Sequence, residues 1–125
     1  SDEALYANTN FLQKEKDAVN ILTEELLTTF REINANPAVV TEFRSKYSLL
    51  PDLPPEVVED IKPYYADAVE VGLFPANGGG ADAARDDFEF YTVAGQIQGD
   101  PASLKVEDFW TLGPLDQALQ KVGRK

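Results

Sequence analysis

The chain has 125 residues with 43% hydrophobic and 26% charged side chains, values of an ordinary globular domain that can bury a core without metal or disulfide support. Its formal net charge is −11, and it has neither cysteine nor histidine. That balance argues against nucleic-acid and anionic-membrane partners, and the missing residue types exclude thiolate nucleophiles, Cys/His zinc sites and histidine acid–base catalysis.

No apolar run approaches the roughly 20 residues of a membrane span, so no direct membrane insertion is expected. No signal-peptide pattern opens the chain. Methionine is absent, even at position 1. The expected reading is a processed chain or, preferred, a piece of a longer one, with Ser1 as a processing end or cloning scar.

The opening "EALYANTNFL" reads as a short strand or an extended lead-in, followed by a turn of helix near Asn10. From about Lys14 to Ile33, Val19, Leu22, Leu26, Phe30 and Ile33 recur at helical steps, and Ile21 and Leu27 widen the stripe. Glu24, Glu25, Arg31 and Glu32 fall on the other side and read as solvated. Asn36 as N-cap and Pro37 at the first helical position restart a helix whose apolar side is Val39, Val40, Phe43 and Tyr47. "SLLPDLPP" stops it near Lys46.

Pro55 opens a further helix, with Val57, Val58, Ile61, Tyr64, Tyr65, Ala68 and Val69 on its apolar face. Pro63 should kink or split it, and Gly72 stops it. After the loop "LFPANGGG", Asp82 to about Gln98 reads as helix with Ala84, Phe88, Tyr91 and Ile97 inward, weakened near its end by Gly95. "QGDPAS" is a turn, and "VEDFW" one helical turn. Pro114 opens a last helix with Leu115, Ala118, Leu119 and Val122 inward, closed by Gly123. The fold class is therefore mainly α: five to seven helical pieces in a compact array, forming one helical domain over residues 1–125.

The residues offer little chemistry. Gly78, Gly79 and Gly80 open a helix, the geometry of a phosphate cradle. The Lys-Ser/Thr of a P-loop is missing, however, and Asp82, Asp86 and Asp87 already occupy the positive end of the helix dipole. The glycines thus read as a flexible loop, slack between two packing helices. Asp82, Asp86, Asp87 and Glu89 have oxygen ligands for a divalent cation but not the EF-hand spacing, and read as a solvated face, as do Glu59 and Asp60. Tyr64, Tyr65, Tyr91 and Trp110 suit either a ligand cleft or a core with polar tips at the surface, the latter preferred. No catalytic residue, metal ligand or cofactor is assigned, and the ligand-binding residues are unknown at this stage.

The C-terminal half has a recognisable cadence in "AVEVGLFPANGG" and "LKVEDFWTLGPLDQALQKVG", and the earlier "FLQKEKDAVNILTEELLTTFREINANPAVV" reads as one long helix leading to an Asn-Pro. Through Gly72-Leu73, Val106, Asp108, Phe109, Leu115, Ala118, Leu119 and Gly123, the chain resembles the end of ABC-transporter substrate-binding proteins. The closest group is the nitrate/sulfonate/taurine type with its pyrimidine-synthesis relatives. The resemblance spans nearly the whole chain but only about the last third of such a protein.

It implies a two-lobed α/β periplasmic-binding-protein fold whose lobes close on a small-molecule ligand and deliver it to a membrane permease. It also implies a periplasmic or extracellular location, with a lipid anchor as one option, and no enzymatic activity. No family ligand contact carries over onto these residues. Two other readings stand beside it: an independent acidic helical module that binds a protein with a basic surface, and an enzyme with a carboxylate-only site.

Overall fold

Side-chain capping sets the first helix boundary in the computed structural model, which describes residues 4–125. Asn8 accepts a hydrogen bond from the Asn10 amide at 2.9 Å and starts α1, Thr9–Lys14. α2 follows as Lys16–Ala35, α3 as Val39–Tyr47, α4 as Pro55–Glu70, α5 as Gly80–Val93 and α6 as Gly113–Val122. Two 3-10 turns, Pro101–Ser103 and Val106–Asp108, lie between α5 and α6. The fold is mainly helical, and no strand occurs among the described residues. Residues 4–8 are the extended lead-in and not a strand; Glu3, which begins that stretch, lies outside the described residues, as does Ser1. No helix among the described residues is long and apolar enough to cross a membrane.

Three expectations change in detail. The turn of helix expected near Asn10 is α1, and the helix expected from Lys14 begins two residues later as α2, after a break at Glu15, whose φ of −114° and ψ of 38° leave the helical region. Pro63 does not split α4. The amide it lacks would have bonded the Glu59 carbonyl, and both residues are exposed, so water can satisfy that carbonyl. α5 ends at Val93 rather than near Gln98. Gly95 takes a φ of +75°, and the amides of Gly95 and Gln96 bond back to the carbonyls of Thr92 and Tyr91 at 3.0 and 2.9 Å. This is a Schellman stop, which needs a left-handed residue that glycine supplies without strain.

The larger correction concerns which face α2 buries. Leu27, Arg31 and Ile33 are buried, whereas Leu22 is 53% and Ile21 61% exposed. The covered face runs through Asn20, Thr23, Leu27, Arg31 and Asn34, again at three- and four-residue steps. Its polar members are bonded: Thr23 Oγ1 donates to the Val19 carbonyl at 2.8 Å, and Arg31 Nε donates to the Ala76 carbonyl at 2.7 Å. Hydrogen-bonded polar groups can be covered at little cost, so apolar periodicity alone points one residue, roughly a quarter of a turn, away from the true face.

The chain divides into two units. Leu26–Ala76 forms one, in which α3 packs on α4. There Phe74 sits between α2 and α4, its ring 5.3 Å from that of Phe30 and stacked 5.8 Å from that of Tyr65. Asn34 Nδ2 donates to the Phe74 carbonyl, which together with the Arg31 bond pins the loop after α4. The other unit joins the residues up to Glu25 with Asn77–Lys125. Ala84 and Phe88 of α5 and Val106 form its buried cluster, with Ile97, Leu104 and Trp110 packed around them. Ala118 and Leu119 bury the inner side of α6. Two polar contacts tie α6 to the first half of α2: Asn20 to Gln117 at 2.6 Å and Lys121 to Glu24 at 2.8 Å.

Candidate functional site: the glycine loop

The loop before α5 is built by packing as well as by backbone freedom. Gly78 has a φ of +66°, and a Cβ placed there would come within 2.8 Å of Leu115 Cδ1. α6 therefore approaches the loop so closely that a side chain at position 78 would have to displace the end of Leu115, and the left-handed backbone there favours glycine. This differs from the expected slack: the middle of the loop is seated against a helix. α5 also starts at Gly80, two residues before Asp82, and the Gly79 cap contributes no side-chain bond.

Asn77 holds the other side. Its Nδ2 donates to the Lys125 carbonyl at 2.6 Å, and its Oδ1 accepts from the Lys125 amide at 2.9 Å. The polarity of the Lys125 backbone fixes which end of the side-chain amide is oxygen, because the flipped arrangement would face oxygen to oxygen. A depression of about 280 Å³ lies here, with Leu112, Leu115 and Leu119 as its apolar floor and Asp82, Asp116 and Arg124 on its rim. Arg124 reaches Asp116 only at 4.0 Å, and both are well exposed, a pair of little energetic weight.

The acidic residues do not converge. Asp82 pairs with Arg85 one turn on, at 2.9 Å, with its own side chain 98% exposed. Asp86 and Glu89 are exposed, whereas Asp87 is buried, so the helix separates them onto different faces. Among the described residues, no three acidic side chains gather closely enough to hold a metal ion.

The aromatic candidates separate too. Tyr64 and Tyr65 belong to one unit, Tyr91 and Trp110 to the other. Tyr65 is half-buried in its stack with Phe74, while Tyr64 is exposed and meets Tyr65 edge-on at 5.4 Å. Trp110 packs against the Ala84–Phe88–Val106 cluster, and Tyr91 is half-buried beside Phe90. Tyr65, Tyr91 and Trp110 thus fit the reading as core with polar tips; Tyr64 does not.

A second, more open groove of about 430 Å³ runs along α2 and α6, lined by Asp17, Asn20, Ile21, Glu24, Gln117 and Lys121. Its polar side chains already bond one another across the groove.

The residues that carry the family resemblance divide between buried framework positions and exposed ones, Asp108 and Gly123 among the latter. Gly72 donates to the Val69 carbonyl and Leu73 to the Ala68 carbonyl, closing α4. Val106, Ala118 and Leu119 are buried, and Leu115 is the side chain against Gly78. Phe109 meets Phe88 edge-on at 5.4 Å while remaining 63% exposed. Asn77, Arg31 and Asn34 organise the loops although no motif marks them, and Arg31 is buried rather than solvated; for Asn77 the signal in the sequence is an asparagine directly before glycine at a turn. Compared with protein-family models, curated proteins and solved structures, the chain matches none.

Proposed function

We propose that this chain is the C-terminal helical portion of the solute-binding component of an ABC importer. Working in the periplasm or outside the cell, the whole protein captures a small molecule and delivers it to a membrane permease. One observation supports the reading: among the residues of the resemblance, Gly72 and Leu73 close α4, and Val106, Ala118 and Leu119 are buried, while Asp108, Phe109 and Gly123 are exposed. In this reading the chain contributes framework, and ligand contacts come from other parts of the protein. No catalytic step is assigned to it.

An uptake assay tests this. Deleting the gene in its native host should abolish uptake of one small solute, and restoring the complete reading frame should recover it. Unchanged uptake across nitrate, alkylsulfonates and taurine, the solutes named by the resembled family, would count against the reading.

A second reading, an acidic helical interaction module, draws on exposed apolar side chains in a chain of net charge −11. Tyr47, Leu50 and Tyr64 are each more than half exposed within one unit. A pull-down whose partner is basic and is lost at high salt would favour it.

A further inference from the structure

We propose that Asn77–Gly78 is a site of spontaneous deamidation, restrained by the Asn77–Lys125 clasp, and that its conversion releases the tail from the glycine loop. The inference stands on the loop geometry alone and is independent of the transport reading.

The chain has six asparagines, at positions 8, 10, 20, 34, 36 and 77, and only Asn77 precedes glycine. In the reaction the backbone nitrogen of residue i+1 attacks the side-chain carbonyl carbon of asparagine. A side chain on that next residue hinders the approach, and glycine has none. The fold itself favours this vulnerable pair. Glycine is favoured at 78 by its φ of +66°, where any side chain is strained, and by the close approach of Leu115. Asn77 must present one donor and one acceptor to match the Lys125 backbone.

The nucleophile is unencumbered. Among the described residues, the Gly78 amide donates to no protein acceptor. Loss of its proton to solvent base lets the nitrogen form a bond to Asn77 Cγ. The Cγ–Nδ2 bond then breaks, and ammonia leaves with a proton from water. Water opens the resulting cyclic imide at either carbonyl, giving aspartate or isoaspartate. The balance is asparagine plus water to acid plus ammonia, with no oxidant or further reactant.

The clasp is the restraint. Attack needs Cγ to turn over the Gly78 nitrogen, and both polar atoms of the Asn77 side chain are held by Lys125. Conversion then dismantles the clasp. An aspartate has no donor for the Lys125 carbonyl and faces it with a second oxygen. It also adds negative charge to a depression already rimmed by Asp82 and Asp116. Isoaspartate lengthens the backbone by one methylene just before Gly78 and displaces that glycine from Leu115.

The test uses the intact chain aged in mildly alkaline buffer, with peptide mapping by mass spectrometry and enzymatic detection of isoaspartate. Lys125→Pro removes the amide that Asn77 Oδ1 accepts from, and circular dichroism checks that helicity is kept. The expected result is slow modification confined to Asn77 in the native chain and a several-fold faster reaction there in Lys125→Pro. Asn77→Asp should lose hydrogen-exchange protection at Lys125. Equal Asn77 rates in both proteins, earlier modification at another asparagine, or unchanged protection in Asn77→Asp would overturn the proposal.

Discussion

Gly78 and Leu115 are fitted to each other: a single added methyl group at 78 would lie 2.8 Å from Leu115 Cδ1. Gly78→Ala should therefore destabilise by about 2–3 kcal/mol, combining left-handed backbone strain with overpacking. Adding Leu115→Ala removes the clash but opens space under the loop. The double mutant should accordingly lose less than the sum of the single mutants, and denaturant melts of all four proteins measure that coupling. Strict additivity would mean that the loop moves away from α6 freely.

The face assigned to α2 can be tested by a matched pair. Leu27 is 3% exposed and Leu22 is 53% exposed. Leu27→Ala should cost about 2–4 kcal/mol, and Leu22→Ala less than about 1 kcal/mol. Chemical denaturation measures both. Equal losses would restore the face that apolar periodicity suggested.

That pair also shows what the sequence conveys. Pro55 and Pro114 at helix starts, Gly72 at a helix end, and the buried Ala84, Phe88, Ala118 and Leu119 could all be read from residue type and spacing. These depend on local backbone chemistry or on strongly apolar side chains. The rotation of α2 could not be read this way, because Asn20, Thr23, Arg31 and Asn34 look like solvent-facing residues until their acceptors are known. Those acceptors for Arg31 and Asn34 are carbonyls about forty residues away in sequence, at Ala76 and Phe74. For the same reason the glycine loop read as slack: neither Leu115 nor Lys125 is near it in the chain.

The loop after α4 should fail as a unit. Phe74 touches Phe30 and Tyr65, and its carbonyl accepts from Asn34. Phe74→Ala should lose about 2–4 kcal/mol, somewhat under the full-burial value because the ring is only half-buried. Asn34→Ala should lose about 1–2 kcal/mol, because it leaves a partly covered carbonyl unpaired. Thermal melts would check both, and a change in Asn34→Ala below about 0.3 kcal/mol would show that water replaces the amide without loss.

Ser48 offers a stabilising change. It ends α3 with a φ of 51°, and the Leu49 amide bonds back to the Arg44 carbonyl at 3.0 Å. Left-handed backbone costs a side-chain-bearing residue about 1–2 kcal/mol, part of which glycine returns as lost chain entropy. Ser48→Gly should raise stability by about 0.5–1 kcal/mol, read as a higher melting temperature. A lower melting temperature would mean that the serine side chain contributes something glycine cannot replace.

Solute capture itself is measured most directly by titration calorimetry on the protein made from its complete reading frame, run against nitrate, alkylsulfonates, taurine and pyrimidine precursors. The account predicts saturable one-site binding of one such solute by the complete protein and no heat from the 125-residue chain alone. A complete protein that binds none of them, or a 125-residue chain that binds one unaided, would contradict it.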